Sequence, residues 1–139
     1  NVEGIVGLGK AAELVSRNDA EHMKELKKLL WSRISSECPW AMLNGPDAEN
    51  GAPHVMSIGF PGIRGEVLLH LLEDDGILLS AGSACSTKKG RKNRTLSEIG
   101  VSDAVNNGSI RISFSRLNTE EEIETASEAI IKHAKRLHR

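Results

Sequence analysis

Two rhythms of apolar residues alternate along this chain, and their order lays out its elements. Residues 2–15 are small and apolar almost throughout and read as a first helix. A second helix runs to about Glu37, with Met23, Leu26, Leu30 and Ile34 at three- and four-residue steps on one face and Asn18 or Asp19 placed to cap it. His22 falls on its polar side, where solvation is expected, and Trp31 at the edge of the core. Residues 39–44 predict a short strand ended by the turn Asn44-Gly45-Pro46-Asp47. From Val55 to Phe60 the period drops to two, with Met56, Ile58 and Phe60 on one face of a strand that Pro61-Gly62 breaks. A helix from about Gly65 to Asp75 follows, with Val67, Leu68, Leu71 and Leu72 inward and Gly76 as its stop. Ile77 to Ser80 predicts a short buried strand, and Thr95 to Ile99 one helical turn. Ser109 to Ser115 carries the clearest alternation. Ile110, Ile112 and Phe114 point one way, and Ser109, Arg111, Ser113 and Ser115 the other. Thr119 with Glu122 is a capping box that opens a last helix with Ile123, Ala126, Ile130 and Leu137 inward.

The resulting order, α-α-β-β-α-β-β-α, lacks the regular βαβ rhythm of a doubly wound sheet. The expected fold class is α+β, a small, mainly antiparallel sheet with helices packed on one face. A chain of 139 residues suits one domain. Neither an internal repeat nor a low-complexity tract is present. Gly4, Gly7 and Gly9 imitate part of a phosphate loop, but no strand precedes them and no Lys-Ser/Thr follows in register, so close helix packing is their expected use. The chain opens at Asn1, without an initiator Met, inside a predicted helix, and the expectation is a piece of a longer protein.

Composition narrows the classes of function. A formal net charge of -1 supplies no general attraction to nucleic acid or membrane, so basic runs are local features. Cys38 and Cys85 lie far apart and form no CxxC pair. That argues against a disulfide framework or a metal site and fits a reducing, cytoplasmic setting. The apolar runs are too short to span a bilayer, and no signal peptide is visible.

The chemistry concentrates at two positions. Cys85 sits in Ser80-Ala81-Gly82-Ser83-Ala84-Cys85-Ser86-Thr87, and the basic residues Lys88, Lys89, Arg91, Lys92 and Arg94 follow. Small neighbours leave the backbone free, and positive charge favours the thiolate. The segment reads as a reactive thiol on a mobile loop spanning about 81–95, or as a half-buried structural cysteine beside a solvated basic turn; these residues alone do not decide. Cys38, just ahead of the predicted strand at 39–44, reads as structural. Arg111 is a lone long cation on a strand face otherwise made of serines. Its guanidinium offers a rigid fork that matches a carboxylate. The alternative is an arginine crossing a solvent-facing sheet or pairing with a nearby Glu.

Taken together, these segments resemble a known family. Ala52-Pro53-His54, Ser83-Ala84-Cys85-Ser86, Ser109-Ile110-Arg111-Ile112-Ser113 and Thr119-Glu120-Glu121-Glu122-Ile123 look like the C-terminal part of a cysteine desulfurase, a pyridoxal-phosphate enzyme of the class-V aminotransferase type. The resemblance covers essentially the whole chain. It implies a C-terminal small domain at 1–139, with 1–17 as a helix leading from a large domain and 18–139 as the body. It implies that Cys85 takes sulfur from L-cysteine as a persulfide and that Arg111 holds the substrate carboxylate. A sulfur-acceptor protein and a homodimer of the full-length enzyme are implied as partners. The family's cofactor lysine follows a histidine, and no His-Lys pair occurs here, so no cofactor-binding residue is expected in this chain and the fragment alone should be inactive. Two other readings share these residues. One is a selenocysteine or cystine lyase on the same scaffold. The other is a free-standing module that uses the basic run 88–94 to hold an acidic partner or RNA; an aromatic content of 3% leaves little for base stacking, so nucleic acid is not an expected partner.

Overall fold

A computed structural model describes residues 1–81 and 93–138. Its elements are α1 (Val2–Leu14), α2 (Arg17–Glu37), β1 (Met42–Leu43), β2 (Val55–Gly59), α3 (Gly65–Asp74), α4 (Arg94–Glu98), α5 (Asp103–Asn107), β3 (Ser109–Ser113) and α6 (Glu120–Leu137). The three strands form one antiparallel sheet in the order β1-β2-β3, as the α+β reading expects. Strand alternation gives the sheet an inner face of Met56, Ile58, Ile110 and Ile112, all buried, against which α2, α3 and α6 lay Leu30, Ile34, Leu68, Leu72 and Ile130. Burying such a side chain stabilises the fold by roughly 1.5–3 kcal/mol each, so this single layer of helix on sheet is the core.

Local chemistry sets the ends of the elements. Gly76 takes φ +80°, and behind it the amides of Gly76 and Ile77 donate to the carbonyls of Glu73 and Leu72, a Schellman closure of α3. The capping box of α6 is complete: Glu122 N–H donates to Thr119 Oγ1, and Thr119 N–H donates to the Glu122 carboxylate. At the start of α2 the cap is Ser16, whose Oγ accepts from Asn18 N–H, rather than Asn18 or Asp19. The local hydroxyl, one residue before the first helical position, outcompetes side chains that already lie inside the first turn.

Several expectations are corrected. Residues 77–80 do not form a strand; only Ser80 bridges to Arg111, because Leu78 is turned out to solvent and breaks the burial an inner strand needs. The strand at 39–44 shrinks to Met42–Leu43. Helix α5 was not expected at all. Val67 is exposed while Leu69 packs on the core, since α3 is rotated by about one position from its sequence pattern. His22 is not free in solvent: its Nε2 hydrogen-bonds the Asn118 carbonyl, 2.9 Å away, and ties α2 to the turn before α6. The inner face of α6 takes in Ser127, His133 and Ala134, while Ala126 is only partly covered. Helix α1 buries none of its residues, and Gly7 and Gly9 face open space, so close packing of these glycines does not occur among the described residues.

Candidate functional site

The outer face of the sheet is where α4 and α5 lie. Gly59 makes this possible: a Cβ there would collide with the Val105 side chain and crowd the Val105 carbonyl at 3.2 Å. With α5 seated, Ser57, Ser109 and Arg111 from the strands and Asn93, Thr95 and Ile99 from the α4 region line a cavity of about 370 Å³. That volume is at the low end for small-molecule sites and suits a compact ligand. Its described lining contains Lys27 and Arg111 but no Asp or Glu, so the site favours an anion.

Arg111 stands opposite Ser57 across the β2–β3 pair and opposite Ser80 on its other side, where Arg111 N–H donates to the Ser80 carbonyl (2.6 Å) and Ser80 N–H to the Arg111 carbonyl (3.1 Å). Its backbone is thereby fixed from both flanks. No ion pair or side-chain hydrogen bond occupies the guanidinium among the described residues, which leaves its fork free toward the cavity. Arg111 pairs with no Glu among the described residues, and it is exposed on the outer face of the sheet, as an arginine crossing a solvent-facing sheet would also be. Cys85 lies outside the described residues, as does the basic run apart from Arg94. Ser80, bonded to Arg111, is the point from which the cysteine segment departs.

At the far end of that segment, Arg94–Glu98 forms α4, with Asn93 as its N-cap and Ile99 as its C-cap. Asn93 caps α4 through its Oδ1, and Asn106, buried on α5, grips the Asn93 backbone from both sides: Asn93 N–H donates to Asn106 Oδ1 (3.1 Å) and Asn106 Nδ2 to the Asn93 carbonyl (3.0 Å). Arg94 pairs with Glu98 along the helix.

Four residues of the site escaped the sequence reading. Asn44 Nδ2 donates to both Ser57 Oγ (3.0 Å) and Ser109 Oγ (2.8 Å), and Ser109 in turn donates to the Val105 carbonyl at 2.7 Å. Asn106 is the clasp just described. Lys27 is 3% exposed and donates to the Ala52 carbonyl at 3.0 Å; burial pushes its ammonium pKa below the ordinary value, with the Asp47 carboxylate opposing that shift in part. Ser57 belongs to the alternation on β2, which marked its face but not its chemistry. Asn44 was visible only as the head of a turn. Cys38 is sealed at 0% exposure, and burial raises its thiol pKa above the ordinary value despite the nearby Lys135 ammonium, in keeping with a structural role.

Fold and cavity define an α+β domain that sets an arginine, unpaired among the described residues, and a row of hydroxyls on the wall of a small acid-free cavity. The family model for class-V aminotransferases matches residues 1–125. The cysteine desulfurase IscS of Clostridium botulinum is 39% identical over 136 residues, covering 95% of this chain and 34% of that protein. IscS of Methanosarcina thermophila is 38% identical over 132 residues, covering 94% and 32%. A solved NifS-like protein superposes with a TM-score of 0.69 at 31% identity, over 84% of this chain and 28% of that one. The cysteine desulfurase CsdA from Escherichia coli gives the same TM-score, 0.69, over 99% of this chain and 31% of that one, and at 20% identity speaks for the fold alone. The chain belongs to the class-V aminotransferase family. It spans about a third of the length of these relatives.

Relatives of this kind imply pyridoxal phosphate, and the described residues do not fit it. A cofactor aldehyde needs an uncommitted amine. Lys27 is the one described lysine that lines the cavity, and it is buried onto the Ala52 carbonyl; Lys10, Lys24, Lys28, Lys132 and Lys135 lie elsewhere on the surface. Among the described residues no helix is long and apolar enough to cross a membrane.

Proposed function

We propose that this chain is the C-terminal small domain of a pyridoxal-phosphate-dependent cysteine desulfurase, which converts L-cysteine to L-alanine and passes the sulfur to an acceptor protein. In this reading residues 1–17, which contain α1, lead from the large domain and 18–139 are the body, within one residue of the point where α2 begins. The reading is supported by α1, which buries nothing within this chain, and by Ser16, whose cap starts the packed body at Arg17. The observation that carries the function is Arg111: a guanidinium without a partner among the described residues, on the wall of an acid-free cavity, beside the root of the Cys85 segment. The arginine receives the substrate carboxylate in a bidentate, charge-assisted contact. The Cys85 thiolate attacks the substrate sulfur. An S–S bond forms to give the persulfide, the C–S bond breaks with its electron pair left on carbon, and a proton on that carbon completes alanine. Pyridoxal phosphate, held by the rest of the protein, would supply the electron sink such a cleavage requires. The persulfide then serves iron–sulfur cluster assembly or thiolation of tRNA or a cofactor, in the cytoplasm and from a homodimer.

Variants of the full-length protein test this. Arg111→Ala should weaken L-cysteine binding by about ten- to more than a hundredfold, the worth of a charge-assisted hydrogen bond. Cys85→Ala should abolish sulfide release while cysteine still binds. Sulfide release by the Cys85 variant at the wild-type rate would show that another group is the nucleophile. Sulfide production by the 139-residue chain alone would contradict the domain assignment.

A further inference from the structure

Hydrogen-bond accounting on the outer face of the sheet singles out one hydroxyl. Ser109 donates its only hydroxyl proton to the Val105 carbonyl, at 2.7 Å. Its oxygen can then only accept, so the Asn44 group 2.8 Å away must be the amide NH₂, which fixes how that side chain is turned. The same Nδ2 carries a second hydrogen, which goes to Ser57 Oγ at 3.0 Å. Ser57 is thereby an acceptor from Asn44, and its own proton has no acceptor among the described residues. Ser57 is also the register partner of Arg111, so the two Cβ atoms are neighbours on the same face, about 4.5–5.5 Å apart as for any directly opposed pair. Both residues line the cavity.

We infer that Ser57 is a second contact for the ligand carboxylate, donating its hydroxyl proton beside the Arg111 fork, and that Asn44 is the positioning residue that turns this proton toward the cavity. The inference rests on the proposal that Arg111 receives a carboxylate. A planar carboxylate has about four lone-pair sites, and a bidentate arginine fills two of them. A carboxylate met by a second oriented donor gains a further charge-assisted hydrogen bond, so a spare donor on the same wall has a use. The donor is held by a chain of contacts that runs from Asn44, just after β1, through β2 and β3 to α5, which fixes its direction before a ligand arrives.

The test compares L-alanine with L-alaninamide, which lacks the charged carboxylate, by calorimetry on full-length holoenzyme. Ser57→Ala should weaken L-alanine by about tenfold, as for a lost hydrogen bond to a charged group, and leave L-alaninamide unchanged. Ser57→Thr, which keeps the hydroxyl, should bind like wild type. Asn44→Ala should reproduce the Ser57→Ala loss, and the double variant should add nothing to it, because both remove one contact. Equal effects of Ser57→Ala on the two ligands, or no effect on either, would overturn the inference. Arg111→Ala separates the two claims. If it discriminates between the ligands and Ser57→Ala does not, only the Ser57 contact falls. If Arg111→Ala does not discriminate, or L-alanine fails to bind the wild type, the parent reading falls and takes this inference with it.

Discussion

Cys38 ends α2 with its sulfur sealed from solvent, and burial keeps its thiol in the protonated, unreactive form. Cys85 has small and basic neighbours in sequence, which favour the thiolate. Limited alkylation under native conditions, followed by peptide mapping, should therefore label Cys85 well before Cys38; preferential labelling of Cys38 would reverse the assignment. At this scale the sequence reveals residues that are anomalous where they stand. A lone arginine among serines and a cysteine among small residues are visible because their immediate neighbours cannot explain them. Asn44, Ser57, Lys27 and Asn106 look ordinary in place. Each takes its role from a partner well along the chain, such as Ser109 for Asn44 or Ala52 for Lys27, and no local pattern encodes such a contact.

Among the elements, those closed by short-range chemistry were legible. The capping box of α6, the Gly76 stop of α3 and the alternation of β3 are each complete within a few residues. The capping box also makes a test of acid sensitivity. The Glu122 carboxylate accepts from the Asn118 amide and from Thr119 N–H, and these bonds hold its pKa below the ordinary glutamate value. A carboxyl whose pKa is lower in the folded state stabilises the fold above its unfolded pKa, about 4.3, and loses that contribution as pH falls through the depressed folded value. Urea titrations at about pH 6 and pH 3 should show a larger loss for the wild-type chain than for Glu122→Gln, whose amide does not titrate. At neutral pH Thr119→Ala should cost about 1 kcal/mol, the usual worth of such a cap. An equal acid loss in wild type and Glu122→Gln would remove this carboxylate from the account. Elements that depend on distant packing were misread. Helix α5 is five residues long and forms where Gly59 leaves room on the sheet, a condition set more than forty positions earlier in the chain. Residues 77–80 have the composition of a strand, yet the pairing they find is one bridge to Arg111.

The whole molecule divides at Ser16. From Arg17 onward the chain closes around one core, with α2 and α3 each against α6 and the sheet beneath. Ahead of it, α1 exposes Val2, Ile5, Val6 and Leu8, each more than half open to solvent, and contributes no residue to that core. A helix that packed four aliphatic side chains of this size would stabilise the domain by roughly 6 kcal/mol or more, at about 1.5–3 kcal/mol each. Losing such a helix would lower the melting temperature by well over 10 °C, since each kcal/mol is worth roughly 2–8 °C in domains of this size range. Because α1 buries none of these side chains within the chain, removing residues 1–15 while keeping the Ser16 cap should shift the melting temperature by less than about 3 °C, under the worth of one ordinary contact. Thermal unfolding of the 139-residue chain beside a version that begins at Ser16 would measure this. A drop as large as a packed helix demands would mean that α1 docks on the body in solution, and the division at Ser16 would have to be abandoned. An unchanged melting temperature would leave the apolar surface of α1 with no use inside this domain, as expected of a helix that joins it to the remainder of a desulfurase.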